Sequence, residues 1–179
     1  MNKDEIIKLA AEAGAKAAME TLDRERQRDR QEMADRRLWN TKLLLKNYRS
    51  FVAHVSKAVF TVDDYVPLEE IWTDLMMPGR DSTLFVESIK QSVARTATIV
   101  KHMEAMMDLY KVYCTTIGTA EDERRWRIID GLYINEQRHT IKELAQEEGV
   151  VERTIYKDVD IACERIAALM FGVDGLKRR

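Results

Sequence analysis

Residues that break helices are scarce in this chain, and their scarcity limits what it can fold into. Only seven Gly and two Pro, Pro67 and Pro78, occur among 179 residues. Sandwiches and barrels of many strands need many tight turns, which Gly and Pro usually supply. An apolar content of 45% is enough for a packed core. We therefore expect an all-α fold.

The charges nearly balance, because 29 Lys and Arg stand against 31 Asp and Glu, for a net charge of −2. A protein that coats nucleic acid by charge alone is strongly basic, so any nucleic-acid contact must be local. No apolar run approaches the roughly 18 residues that span a bilayer, and no signal-type core is present. Neither Cys114 nor Cys163 has a second Cys or a His at metal-ligand spacing. We expect a cytoplasmic protein with reduced thiols, no membrane contact, no metal and no cofactor.

The N-terminal third reads as one long helix, because Gly14 is the only helix breaker between Asp4 and Val62. Within it a mainly apolar stripe recurs at alternating steps of three and four, the spacing of a helix–helix interface. The stripe consists of Leu38, Thr41, Leu45, Tyr48, Val52, Val55, Val59 and Val62.

A second long helix is predicted after a short one. Val66-Pro67 forms a boundary, and a short helix runs from there to about Met77 before Pro78-Gly79. Ser82 is a good N-cap for the long helix that follows, which Gly118 closes. Its stripe is Val86, Ile89, Val93, Thr96, Val100, Met103, Met107, Tyr110, Cys114 and Ile117.

An uninterrupted helix over residues 82–117 would be about 54 Å long, so the first two-thirds of the chain should be elongated. An antiparallel hairpin within one chain would bury both stripes, and so would a parallel dimer; the spacing does not choose between them. We expect intramolecular pairing together with homodimerisation through the long helices. The Arg-rich run Arg24–Arg37 is either a solvated helix face or a contact for phosphate or a partner.

The pattern changes near residue 120, which divides an elongated helical region, 1–119, from a smaller domain, 120–179. Three short helices are predicted there, separated by polar turns. Thr140 and Glu143 form a capping box at the start of the second helix, and the third begins at about Glu152. The residues expected inside are Trp126, Ile129, Leu132 and Tyr133, then Ile141, Leu144 and Ala145, then Ile155, Val159, Ala162, Ile166 and Leu169.

The turn between the last two helices has the register of a helix-turn-helix. The small side chain of Ala145 lets the helices cross closely, and Gly149 can adopt the left-handed conformation of a tight turn. Val150 then fills the corner between the helices.

The stretch RRWRIIDGLYINEQRHTIKELAQEEGVVERTIYKDVDIACERI resembles region 4 of bacterial sigma factors and the related domain of ArpU/RinA-type phage late-gene regulators. The likeness covers roughly residues 121–172, and RRLWNTKLLLKNYRSF resembles their N-terminal helix more weakly. Two positions depart from the pattern: Val151 replaces the Ser or Thr cap before the third helix, and Asp158 replaces an apolar residue. The resemblance implies a prophage-type transcription regulator that binds double-stranded DNA, with a contact to RNA polymerase as a further option.

In a helix-turn-helix, the first helix crosses the phosphate backbone and the start of the second enters the major groove. Side chains on the outer face of the third predicted helix are therefore candidates for base contacts. These are Glu152, Arg153, Tyr156 and Lys157. The candidates for phosphate contacts surround the start of the second predicted helix: Arg138, His139, Thr140 and Lys142.

Two other functions remain open, a DNA-packaging protein like a terminase small subunit and a helical adaptor that binds protein instead of DNA. The predicted domain carries 11 basic and 13 acidic residues over 121–179, which predicts weak non-specific DNA binding unless a dimer or polymerase compensates. No enzyme is expected, because His54, His102 and His139 fall in three different elements and no Gly-rich phosphate loop is present.

Overall fold

The computed structural model describes residues 3–56, 66–76 and 82–172, and every regular element in these ranges is helical. This confirms the all-α prediction. No helix in these ranges is long and apolar enough to cross a membrane. The elements are α1 (Lys3–Ser56), α2 (Leu68–Leu75), α3 (Ser82–Lys90), α4 (Val93–Thr116), α5 (Ala120–Ile129), a π-helical turn (Asp130–Ile134), α6 (Ile141–Glu147) and α7 (Glu152–Phe171).

The first helix is continuous over 54 residues, which confirms the predicted long helix and corresponds to about 81 Å. Its two halves have different surroundings. Residues 12–33 are all exposed, whereas from Asn40 onward the helix enters the core with Leu44, Leu45 and Phe51 fully buried. The predicted stripe is therefore correct as far as Val55, and its last two members lie outside the described residues.

The second long helix was predicted without a break, and this is wrong. The chain leaves the helical path at Gln91 and Ser92, which separate α3 from α4. Ser92 Oγ accepts a hydrogen bond from the Arg95 backbone N–H at 3.1 Å, which caps α4. Thr96 Oγ1 donates to the Ile89 carbonyl at 3.0 Å and so satisfies an acceptor at the end of α3. Two hydroxyl side chains thus end one helix and start another without Gly or Pro.

The two predicted stripes meet within one chain. Side chains from α1 and α4 share a hydrophobic core with side chains from α5 and α7. At its edge Tyr48 Oη donates to Glu104 Oε1 at 3.1 Å, and burial together with this carboxylate raises the pKa of Tyr48 to about 12. The core thus contains residues from both sides of residue 120; whether 120–179 forms a domain of its own stays a prediction. The members of this shared core include Leu45, Phe51, Met103, Met107, Tyr110, Cys114, Ile129, Ala162, Cys163 and Ile166.

Two buried carboxylates connect α5 to α7. Asp158 accepts from Arg124 Nε at 2.8 Å and from Arg125 Nε at 3.0 Å, so this buried acidic residue is paired. Asp122 accepts from Arg125 and from Arg165. Burial alone would raise the pKa of Asp122, but the Thr119 backbone N–H and the two guanidinium groups lower it to about 2.

The low pKa of Asp122 predicts a contribution to acid stability. The group ionises at about 2 in the folded chain and at 3.8 in the reference state, so its contribution is complete above pH 4 and disappears as the pH falls towards 2. We expect Asp122→Asn to lower the free energy of unfolding at pH 7 by about 2 kcal/mol. It should also flatten the dependence of stability on pH between about 4 and 2.

Chemical denaturation across this pH range measures both effects. Asp108→Asn, at an exposed carboxylate on α4, is the matched control and should leave the slope unchanged. A slope that is the same in Asp122→Asn as in the unmodified chain would contradict the assignment.

Candidate nucleic-acid interface

The start of α6 has the predicted capping box. Thr140 Oγ1 accepts from the Glu143 backbone N–H at 3.2 Å, and Glu143 Oε2 accepts from the Thr140 backbone N–H at 2.7 Å. These bonds hold the pKa of the Glu143 carboxyl below its usual range. The buried face of this short helix consists of Leu144 and Ala145, with Ile141 partly buried, as predicted.

The turn between α6 and α7 is built as the sequence predicts. Gly149 has a φ of +63°, in the left-handed region that side chains disfavour. The Val150 backbone N–H donates to the Ala145 carbonyl at 3.0 Å. The Val150 side chain packs against a second hydrophobic cluster, whose buried members are Ile128, Leu132, Leu144, Ala145 and Ile155.

Helix α7 starts at Glu152 without a side-chain cap, as predicted from Val151, whose side chain cannot accept a hydrogen bond. Its inward face agrees with the prediction at Ile155, Ala162 and Ile166 but not at Leu169, which is 39% exposed while Met170 is buried. An α-helix has 3.6 residues per turn, so each step of three residues falls short of a full turn. One turn after Ile166, the residue on the buried face is therefore Met170, four residues on.

The four predicted base contacts all lie exposed on the first half of α7. Ile155 points from the opposite face into the second cluster, so Arg153, Tyr156 and Lys157 project away from the protein body. Tyr156 is 58% exposed although it is aromatic. Within the described ranges neither these three side chains nor Glu152 makes a hydrogen bond or an ion pair. The structure therefore leaves this face free, and contact with bases stays a prediction.

The four predicted phosphate contacts divide into two groups. Arg138, Thr140 and Lys142 are exposed beside the start of α6. His139 is partly buried: its Nδ1 lies 3.3 Å from Glu147 Oε1, and its backbone N–H donates to the Gly131 carbonyl at 3.1 Å. This histidine therefore has an intramolecular role in fixing the loop before α6.

One residue that positions this surface was not predicted. Arg49 on α1 donates to the carbonyls of Asn135, Leu132 and Gly131, at 2.8, 2.9 and 3.3 Å. These carbonyls lie in or next to the π-helical turn that leads to α6. Burial, and then the nearby charge of Arg138, lower the pKa of Arg49. The sequence offered no signal for this role, since an arginine beside an apolar stripe usually faces solvent.

A comparison of the chain with protein-family models, with curated proteins and with solved structures finds no match. Among the described residues, no group of three or more His, Cys, Asp or Glu could hold a metal ion. The two cysteines are buried, and burial raises the pKa of Cys163 to about 12. The candidate interface therefore rests on its own geometry.

The positive φ of Gly149 predicts the effect of adding a methyl group there. No atom lies within 4 Å of a Cβ at this position, so the cost of Gly149→Ala is conformational, about 1 to 2 kcal/mol. Gly14→Ala is the matched control, because Gly14 lies in an exposed helix with equal space around it. The control should increase helix stability by roughly 0.5 to 1 kcal/mol. Thermal unfolding of both variants tests this. Stability changes of the same sign in the two variants would contradict the prediction.

The three hydrogen bonds of Arg49 predict a local loss of stability in Arg49→Met. The change leaves carbonyl acceptors without their charged donor, which should cost about 1 to 3 kcal/mol. Amide hydrogen exchange should become faster in α6 and in the loop before it than in α4. Lys46→Met, on an exposed part of α1, serves as control. Unchanged exchange in α6 would show that Arg49 does not hold this surface.

Proposed function

We propose that this chain is a sequence-specific DNA-binding transcription regulator of prophage type, which reads a promoter or operator through α6, the turn at Gly149 and α7. The observation that carries the proposal is the outer face of α7. It presents a guanidinium, an ammonium and an aromatic ring without intramolecular partners in the described residues, directly after a turn with helix-turn-helix register.

The proposed binding mode follows from which faces are buried. The inner face of α7 is occupied by the protein core, so its outer face is what can enter a major groove. Arg153 would donate to guanine O6 and N7 together, and Lys157 would contact a base or a phosphate. Glu152 would accept from cytosine N4. Arg138, Thr140 and Lys142 would bind the phosphate backbone and fix the register.

A helical adaptor remains the second candidate, and one observation favours it. The last turns of α4 expose Leu109 and Val112, and Ile117, directly after the helix, is 78% exposed. Exposed apolar side chains that cluster in this way often mark a protein-binding surface. This surface and a DNA-reading face are compatible, because a regulator that contacts RNA polymerase needs both.

Selection from a pool of duplexes with randomised sequence tests the proposal, with binding of the selected sequence then measured between about 50 and 200 mM salt. Arg153→Ala should lower the affinity for the selected sequence by roughly 5- to 150-fold relative to the affinity for random DNA, since one bidentate contact is lost. Lys142→Ala should weaken both kinds of DNA equally and reduce the slope of log K against log salt by about 1.

Lys101→Ala is the matched control, because it removes an exposed positive charge from α4, away from the proposed reading face. The next residue, His102, contacts Met170, at the opposite end of α7 from Arg153. It should change neither affinity nor slope. A pool from which no sequence is enriched would contradict the proposal, as would equal losses from Arg153→Ala on selected and random DNA.

A further inference from the structure

The outward side of α4 carries an uncharged stripe that the described part of the chain leaves exposed. Ala105, Leu109, Val112 and Thr116 recur at steps of four, three and four, which places them in one line along the helix. All four are exposed, Leu109 by 54% and Val112 by 55%. The opposite side of α4 is buried in the core, so this stripe faces directly away from the protein body.

The stripe can be buried without leaving a polar group unpaired. None of its four side chains is charged. Thr116 has the only hydroxyl, and its Oγ1 donates to the Val112 carbonyl within the same helix. A second helix on this stripe would therefore remove no charge from water and break no necessary hydrogen bond.

Both ends of the stripe are defined by the fold. One turn before Ala105, on the same line, the partly buried His102 contacts the Met170 carbonyl at 3.3 Å. At the other end, α4 stops at Thr116. The open stripe thus spans about 17 Å, and its centre lies between its two middle residues. A second α4 that runs in the opposite direction about this centre would cover the stripe from end to end.

The two edges of the stripe differ in chemistry. Met106 and Tyr113 lie along one edge, and Lys101, Asp108 and Thr115 lie along the other. In a parallel pair of identical helices, each edge meets the other kind of edge, whereas in an antiparallel pair each edge meets its own kind. Only the antiparallel pair brings the apolar edges together and leaves the polar edges to each other.

We propose that α4 forms a two-fold antiparallel helix pair with α4 of a second copy of this chain. Leu109 would pack against Val112 of the second copy, and Ala105 against its Thr116. The proposal does not depend on DNA binding. It assigns to a second copy of the chain the surface that favours a helical adaptor.

The contacts along the edges support this pairing. Met106 would meet the Tyr113 ring of the second copy, a favourable contact between sulfur and an aromatic ring. The Arg165 guanidinium lies 5.4 Å from the centroid of the Tyr113 ring and holds this ring in place before association. On the polar edge, Asp108 would lie beside Thr115 of the second copy and so would not meet a like charge.

The length of the stripe sets the expected strength of the dimer. One pair of helices over three turns makes a small interface, and interfaces of less than about 1,200 Å² in total are weak or transient. Ile117, directly after α4, adds apolar surface on the side of Tyr113. We therefore expect a reversible dimer with a Kd of about 1 to 100 μM.

Sedimentation equilibrium of the full chain, without DNA, tests the pairing from about 1 μM upward. Leu109→Glu should weaken self-association by more than about 100-fold, because each dimer would bury two carboxylates without partners. Met19→Glu is the matched control, since it places the same charge at an exposed apolar position on α1 and should change nothing. Circular dichroism should show unchanged helix content in both variants.

A chain that is monomeric at every concentration would overturn the proposal and leave the stripe to a different protein. Self-association that Leu109→Glu does not weaken would place the contact elsewhere and overturn it as well. The same holds if Met19→Glu weakens self-association as much as Leu109→Glu does.

A new charge at position 115 tests the orientation. Thr115→Lys should strengthen the dimer by roughly 2- to 30-fold, because two exposed ion pairs with Asp108 of the other copy are gained. Thr115→Asp should weaken it by a similar factor. Residues 108 and 115 do not touch within one helix, and they do not meet in a parallel pair. Equal affinities of the two variants would therefore overturn the antiparallel arrangement.

Cysteine crosslinking tests the orientation independently. A mixture of Ala105→Cys and Thr116→Cys chains should form a disulfide between the two kinds of chain, because these positions meet in an antiparallel pair. The native Cys114 and Cys163 are buried, so the unmodified chain provides the background. A disulfide that Ala105→Cys chains form among themselves would identify a parallel pair and overturn the antiparallel one.

Discussion

The packing of the second half of α1 against α4 and α7 is the interaction on which the rest of the structure depends. Leu44, Leu45 and Phe51 are fully buried there, in the same cluster as Met103 and Ile166. Because this cluster includes residues of α7, the helix that carries the proposed reading face is fixed to the N-terminal helix by the core itself. The angle at which α7 is presented is therefore a property of the whole chain.

Polar contacts then refine what the core fixes. Within the part of the chain that the structure describes, the nearly completely buried Asp122 and Asp158 accept from guanidinium groups and from the Thr119 cap. Three arginines thus join α5 to α7. Removing one partner of such a network is costly, because the other is left as a buried charge. Arg49 makes a similar link from α1 to the π-helical turn, where it donates to the carbonyls of Leu132 and Gly131. Two independent links thus orient the α6–α7 pair.

The sequence predicted best where one local rule decides the outcome. A capping box at Thr140 and a left-handed turn at Gly149 depend on neighbouring residues alone, and both were correct. The break at Ser92 was missed because a serine inside a long amphipathic pattern fits a helix interior and a cap equally well. Met170 is buried in place of Leu169 because alternating steps of three and four average 3.5 residues, and over several turns this falls behind the 3.6 residues of an α-helical turn. The roles of Arg49 and Asp158 could not be predicted, since each has partners at least 33 residues away in the chain.

Electrostatics limits how the proposed DNA binding could work. Residues 121–179 carry 13 acidic and 11 basic side chains, so under the proposed function this segment would gain little from counterion release and would rely on the few side chains at the start of α7. Under that proposal, the sequence preference of a nearly neutral chain would come from those few contacts, and most DNA would be bound weakly.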